Sequence, residues 1–152
     1  MTGIILTGHG NIATGIGSAV KLVFGQPEKF YAQDFTEDIT PELLEQKIIE
    51  NINEIKACST DDGNGVLILS DIAGGTPFKT ASLISLKSEN IKVVSGMNLP
   101  MILEIICERE GMGLEELYYH AMTTGKDEIK GFELKNKETS EKKEEIFEEE
   151  GI

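Results

Sequence analysis

Two short stretches hold the residues of this chain best suited to chemistry. The first is Gly8-His9-Gly10, set between the apolar run Ile4-Ile5-Leu6 and an apolar-periodic stretch from Ile12 to Phe24. That order, within GIILTGHGNIATG (3–15), predicts a buried strand, a tight turn and a helix. His9 then ends the strand, open to solvent. Its flanking glycines let another molecule come close, and the adjoining helix N-terminus offers N–H groups to an anion. The second stretch is Asp71-Ile72-Ala73-Gly74-Gly75-Thr76-Pro77, directly after the run Gly65-Val66-Leu67-Ile68-Leu69-Ser70. An unbroken apolar run fits a strand buried on both faces of a parallel sheet, and Pro77 suits a first helical turn. Taken singly, each stretch also reads as an ordinary turn, with Asp71 as a plain cap. What joins them is the fold.

The remaining chain alternates. Phe30-Tyr31-Ala32 with Phe35 reads as a second strand. Thr40-Pro41 opens a helix running to about Cys58, and residues 59–65 (STDDGNG) form an exposed loop. A helix from Pro77 to about Leu86, a strand Ile91–Ser95, a helix from Met101 to about Arg109 and another from Leu114 to about Thr124 follow. Residues 129–134 read as a short final strand. The expectation is one α/β domain over 1–135. It is an open, doubly wound, mainly parallel sheet of order 2-1-3-4 with helices on both faces. An acidic tail, 136–152, follows with seven Glu against three Lys. Ligands in such a sheet gather at the C-terminal strand ends where strand order reverses, here between strands 1 and 3. The loops after those strands carry His9 and Asp71, which the fold therefore brings together across 62 positions.

Composition narrows the classes of function. The chain has 152 residues, 39% hydrophobic and 27% charged, with a net charge of −13. So acidic a surface suits neither nucleic acid nor an anionic membrane, but it would attract a basic protein. No stretch approaches the apolar length of a membrane span. No basic segment leads into an apolar one at the N-terminus, so a cytoplasmic protein is expected. Cys58 and Cys107 lack metal-ligand spacing and read as reduced and inert. Neither a metal nor a cofactor is expected. Arg109 is the sole arginine, so any phosphate would be held without an arginine clamp.

A carboxylate beside a histidine accepts a hydrogen bond from one ring nitrogen and leaves the other as a lone-pair nucleophile. It also stabilises positive charge developing on the ring. The N–H groups of Gly74, Gly75 and Thr76, with the Thr76 hydroxyl, can cradle an anion. Nucleophile, orienting carboxylate and oxyanion donors together are the parts expected of phosphoryl transfer to and from histidine.

The stretches GHGNIATG (8–15), DIAGGTPF (71–78) and GMNLPM (96–101) resemble the IIA component of the mannose family of the bacterial phosphoenolpyruvate-dependent sugar phosphotransferase system. The resemblance spans roughly residues 3–130. It implies that His9 accepts a phosphoryl group from phospho-HPr and passes it to a IIB protein or domain, making the chain a phosphotransferase that serves membrane IIC and IID components. It also implies Asp71 as the histidine-orienting aspartate and Thr76 as a hydroxyl near the phosphoryl group. A homodimer exchanging the strand at about 129–134 is implied too. Asn11, Ile72 and Ala73 stand where some members carry larger aromatic residues, and with Met97 and Asn98 they form the expected docking rim. No IIB sequence follows the tail, as expected of a free-standing IIA protein.

Other readings remain open at this point. A phosphocarrier subunit acting with dihydroxyacetone kinase resembles the same fold, although GGTPF and GMNLPM favour the sugar system. A histidine phosphatase would want arginine before the histidine, where Gly8 stands. A receiver domain would want an acidic pair after strand 1. A non-enzymatic anion- or nucleotide-binding module would lack any covalent phosphohistidine, and the chain has no Walker sequence. His120 is expected to be structural or on the surface, Lys79 to face solvent, and Phe78 to join the core.

Overall fold

In a computed structural model, described over residues 1–58 and 65–133, the alternation becomes nine elements. They are β1 (Gly3–His9), α1 (Ile12–Phe24), β2 (Phe30–Phe35), α2 (Pro41–Ala57), β3 (Val66–Ser70), α3 (Thr76–Ser85), β4 (Ile91–Ser95), α4 (Leu99–Glu108) and α5 (Leu114–Asp127). The four strands form one parallel sheet of order β2-β1-β3-β4, the expected order.

Period-two alternation divides the strands between two cores. Ile4 and Leu6 of β1, with Leu67 and Leu69 of β3, face one core, shared with α1, α4 and α5. Ile5, Val66 and Ile68 face the other, shared with α2 and α3. All seven are fully buried. That is why both central strands read as unbroken apolar runs, whereas β2 is half-buried along its length. Among the described residues no helix is long and apolar enough to cross a membrane.

Boundaries shift where a side chain intervenes. Thr40 accepts from Leu43 N–H and caps α2 as expected. Asn98 does the same for α4, accepting from Met101 N–H at 3.0 Å, so that helix starts at Leu99, two residues before the sequence suggests. The last helix, α5, runs past Thr124 to Asp127. Gly125 does not stop it. A Cβ there would come within 2.3 Å of the Met101 side chain, so the missing side chain lets α5 press against α4.

The strand expected at about 129–134 does not form among the described residues. Residues 129–133 adopt no strand, and Ile129 and Phe132 are 80% and 77% exposed. A strand exists only through pairing, and this exposed segment has no neighbouring strand among the described residues. Leu134, most of the loop at 59–65 and the acidic tail lie outside the described residues.

Candidate functional site

His9 is the last residue of β1, and Asp71 follows β3 directly. The two strands are neighbours, with Thr7 opposite Ser70, so their ends meet. Asp71 Oδ2 lies 2.9 Å from His9 Nδ1 and also accepts the His9 backbone N–H at 2.9 Å. Its other oxygen accepts from Ile72 N–H at 2.9 Å. The Asp71 side chain is only 7% exposed, whereas that of His9 is 44% exposed. Burial by itself would push the Asp71 carboxyl up. The bonds from the His9 N–H, the His9 ring and the Ile72 N–H outweigh it and hold the carboxyl below its ordinary value. An ionised carboxylate can only accept, so in the neutral ring Nδ1 carries the proton and Nε2 keeps the lone pair.

Two glycines make room for this arrangement. A Cβ on Gly8 would stand 3.0 Å from Asp71 Cγ and 2.4 Å from the Ile12 side chain. A Cβ on Gly75 would stand 2.7 Å from His9 Cε1 and 3.5 Å from Nε2. Gly75 thus lies against the edge of the ring that bears the lone pair. Its N–H donates to Ile72 O at 3.2 Å, so Gly75 provides space where a donor was expected. Directly after Gly75 come the first-turn N–H groups of α3, which the helix cannot satisfy itself, and the hydroxyl of Thr76, its first residue. Pro77 contributes none. Gly74 is exposed and turns the chain with φ +78°.

The helix N-terminus beside His9 is not the open anion site that the sequence suggested. Asp34, at the end of β2, accepts from Thr14 N–H at 3.0 Å and from the Thr14 hydroxyl at 2.5 Å. A carboxylate already fills the start of α1. Phe35, the next residue, meets the His9 ring edge-on with centroids 5.8 Å apart, and its carbonyl accepts from Gly10 N–H at 2.9 Å. Local sequence marks neither residue as part of the site. The signal was available: β2 borders β1, and its C-terminal end belongs to the same crevice.

The other expected site residues divide. Asn11, Ile72 and Ala73 are exposed around His9. Met97 is 8% exposed and packs in the core, so its side chain does not form a rim. Asn98 spends its amide on the cap of α4 and on Gly125 O at 2.9 Å. Their loop braces the site through its backbone instead. Gly96 N–H donates to Asp71 O at 3.1 Å, and Met97 N–H to Ser70 O at 3.0 Å.

Arg109 is buried at the opposite end of the sheet, where it donates to Thr2 O and Glu28 O, ahead of β1 and β2. His120 lies on α5, 3.5 Å from Glu104 of α4, away from His9. Lys79 is exposed. Phe78 is half-buried and lines a groove of about 320 Å³ along the outer edge of β4, with Val93, Tyr118 and Tyr119. It does not join the core. Among the described residues no group of three His, Cys, Asp or Glu side chains could hold a metal ion.

The chain is similar to known proteins over most of its length. It is 34% identical over 144 residues to the sorbose-specific EIIA component of the phosphotransferase system of Lacticaseibacillus casei, covering 95% of this chain and 99% of that one. It is 29% identical over 133 residues to the mannose-specific EIIAB component of Escherichia coli, covering 87% of this chain and 40% of that longer one. The crystal structure of a phosphotransferase system EIIA component from Streptococcus agalactiae superposes with a TM-score of 0.77 at 28% identity, covering 87% of this chain and 98% of that one. The family model EIIA-man, described as the fructose IIA component of the same system, matches residues 3–122. The chain therefore belongs to the EIIA-man family of phosphotransferase-system IIA components.

Proposed function

We propose that the chain is a phosphocarrier in sugar uptake, with His9 Nε2 as the acceptor. The observation that carries this reading is the 2.9 Å contact between His9 Nδ1 and Asp71, which in the neutral ring puts the proton on Nδ1 and leaves the Nε2 lone pair at the edge of Gly75. In the proposed step, the Nε2 lone pair attacks the phosphorus of phospho-HPr in line. The P–N bond to the donor imidazole breaks, and its electron pair returns to that ring. Asp71 keeps the Nδ1 proton and stabilises the charge gained by the His9 ring. The first turn of α3 and the Thr76 hydroxyl bind the transferring oxygens. Reversal of the same step delivers the group to a IIB protein or domain.

The exposed rim of Asn11, Ile72 and Ala73 around His9 supports docking of HPr and IIB. The net charge of −13 favours basic partner faces and predicts slower transfer with added salt. The open edge of β4 and its groove, together with the exposed Ile129 and Phe132, support a homodimer in which each copy covers the other's edge. The exchange takes place in the cytoplasm and serves the membrane components without entering the bilayer.

The test is phosphorylation with phosphoenolpyruvate, enzyme I and HPr, read by intact mass. One acid-labile phosphoryl group that is absent in His9→Ala is expected. No labelling by active phospho-HPr would overturn the reading.

A further inference from the structure

The start of α1 is capped from another part of the fold. Asn11 occupies the N-cap position but makes no side-chain bond to its helix. Its amide lies 3.4 Å from Asp34 Oδ2. The N–H of Thr14, which the helix cannot satisfy, goes to Asp34 Oδ1 at 3.0 Å, and the Thr14 hydroxyl goes to Oδ2 at 2.5 Å. That distance is typical of a charge-assisted hydroxyl–carboxylate bond. Asp34 pairs in register with Gly8, one residue before His9. Only Gly10 and Asn11 separate His9 from α1.

Strand alternation sets the geometry. Phe30 and Ala32 pack toward the core that contains α1, and Asp34 continues that side. Tyr31 and Phe35 face the other core, and Phe35 meets the His9 ring on that side. The end of β2 thus grips the turn after His9 from both sides of the sheet. Asp34 takes the helix, and Phe35 takes the Gly10 N–H and the ring.

We propose that Asp34 is a positioning residue for the His9 site. Through Thr14 it anchors α1, and through the two-residue turn it holds the His9 ring where Nδ1 meets Asp71 and Nε2 faces Gly75. This rests on the phosphocarrier reading for its consequence in transfer, but its structural content can be measured without any partner. Asp34→Ala removes the acceptor. Asp34→Asn keeps an oxygen for the Thr14 N–H. Thr14→Val removes only the hydroxyl bond.

The primary readout is the His9 ring tautomer, from long-range 15N–1H correlation spectra of the unphosphorylated protein. The second is kcat and KM for phospho-HPr. In the wild type a single Nδ1–H tautomer is expected. Asp34→Ala is expected to give a mixture of tautomers and a kcat about tenfold lower, with KM within about twofold, because misorientation costs chemistry more than docking. Asp34→Asn is expected to restore the single tautomer and most of kcat. If Asp34→Ala does not fold, Thr14→Val carries the test, with the same direction and an effect of about twofold.

A lower melting temperature with an unchanged tautomer and an unchanged kcat would make Asp34 an ordinary cap and overturn the proposal. If phospho-HPr labels no form of the protein, wild type included, the phosphocarrier reading fails. The tautomer comparison then still decides whether Asp34 holds the ring.

Discussion

Replacing Asp71 with Asn changes one atom and sets two bonds against each other. The carboxylate accepts three hydrogen bonds: the His9 N–H and Nδ1–H at one oxygen, and the Ile72 N–H at the other. An amide has one acceptor oxygen and one NH2. If the oxygen faces His9, the NH2 confronts the Ile72 N–H. If the oxygen faces Ile72, the NH2 confronts the His9 N–H and donates to Nδ1. In the second arrangement the ring proton moves to Nε2, and the nucleophile is lost. The first keeps the tautomer but gives up a charge-assisted bond, about 1.5–3 kcal/mol, and the stabilisation of positive charge on the ring. On that basis transfer from phospho-HPr should slow by between about tenfold and a hundredfold if the tautomer survives. It should slow by up to about ten-thousandfold if the tautomer flips, the size known for the same substitution in a serine-protease triad. Rapid-quench measurement of phosphoryl transfer gives the rate, and the His9 15N–1H pattern tells the two cases apart. A variant that transfers at the wild-type rate would refute the role given to Asp71.

Three further expectations follow from the same geometry. Gly75→Ala should fold normally, because φ −68° and ψ 165° suit any residue. Its methyl would stand 2.7 Å from His9 Cε1, so transfer should fall by about tenfold or more as the ring is displaced; wild-type kinetics would count against the packing described. The Asp71 carboxyl titrates below its ordinary value when folded. Its contribution to stability is therefore complete above the unfolded pKa of about 3.9 and is lost as pH falls through the lower folded value. Denaturant titrations should show the wild type's advantage over Asp71→Asn constant down to about pH 4 and shrinking below it, and an advantage that grows on acidification would contradict this. Thr7 and Ser70 face each other in register, both fully buried, and their hydroxyls have no hydrogen-bond partner among the described residues. Thr7→Val should raise stability by about 1 kcal/mol, checked by thermal unfolding; a lower melting temperature would show that the hydroxyl is satisfied.

What the residues determined by themselves was the scaffold and the meeting of two side chains. Apolar runs at Ile4–Leu6 and Val66–Leu69, buried on both faces, require a parallel sheet with helices on either side. The order of elements then leaves His9 and Asp71 at adjacent strand ends. This much is legible because period, run length and crossover handedness are properties of whole segments. Tertiary structure decided the matters set by single hydrogen bonds. Which ring nitrogen Asp71 takes, Gly75 giving its N–H to Ile72, and Asp34 filling the start of α1 all depend on register and on positions a fraction of an ångström apart. Local sequence carries no such distances. Met97 is expected on the docking rim because its loop follows a strand at that end of the sheet, and only tertiary packing buries it in the core. Arg109 stands out in the sequence only as the sole arginine, and only the chain path places it at the far end, donating to Thr2 O and Glu28 O. The segment at 129–133 reads as a strand, but a strand requires a pairing partner, and the described residues supply none.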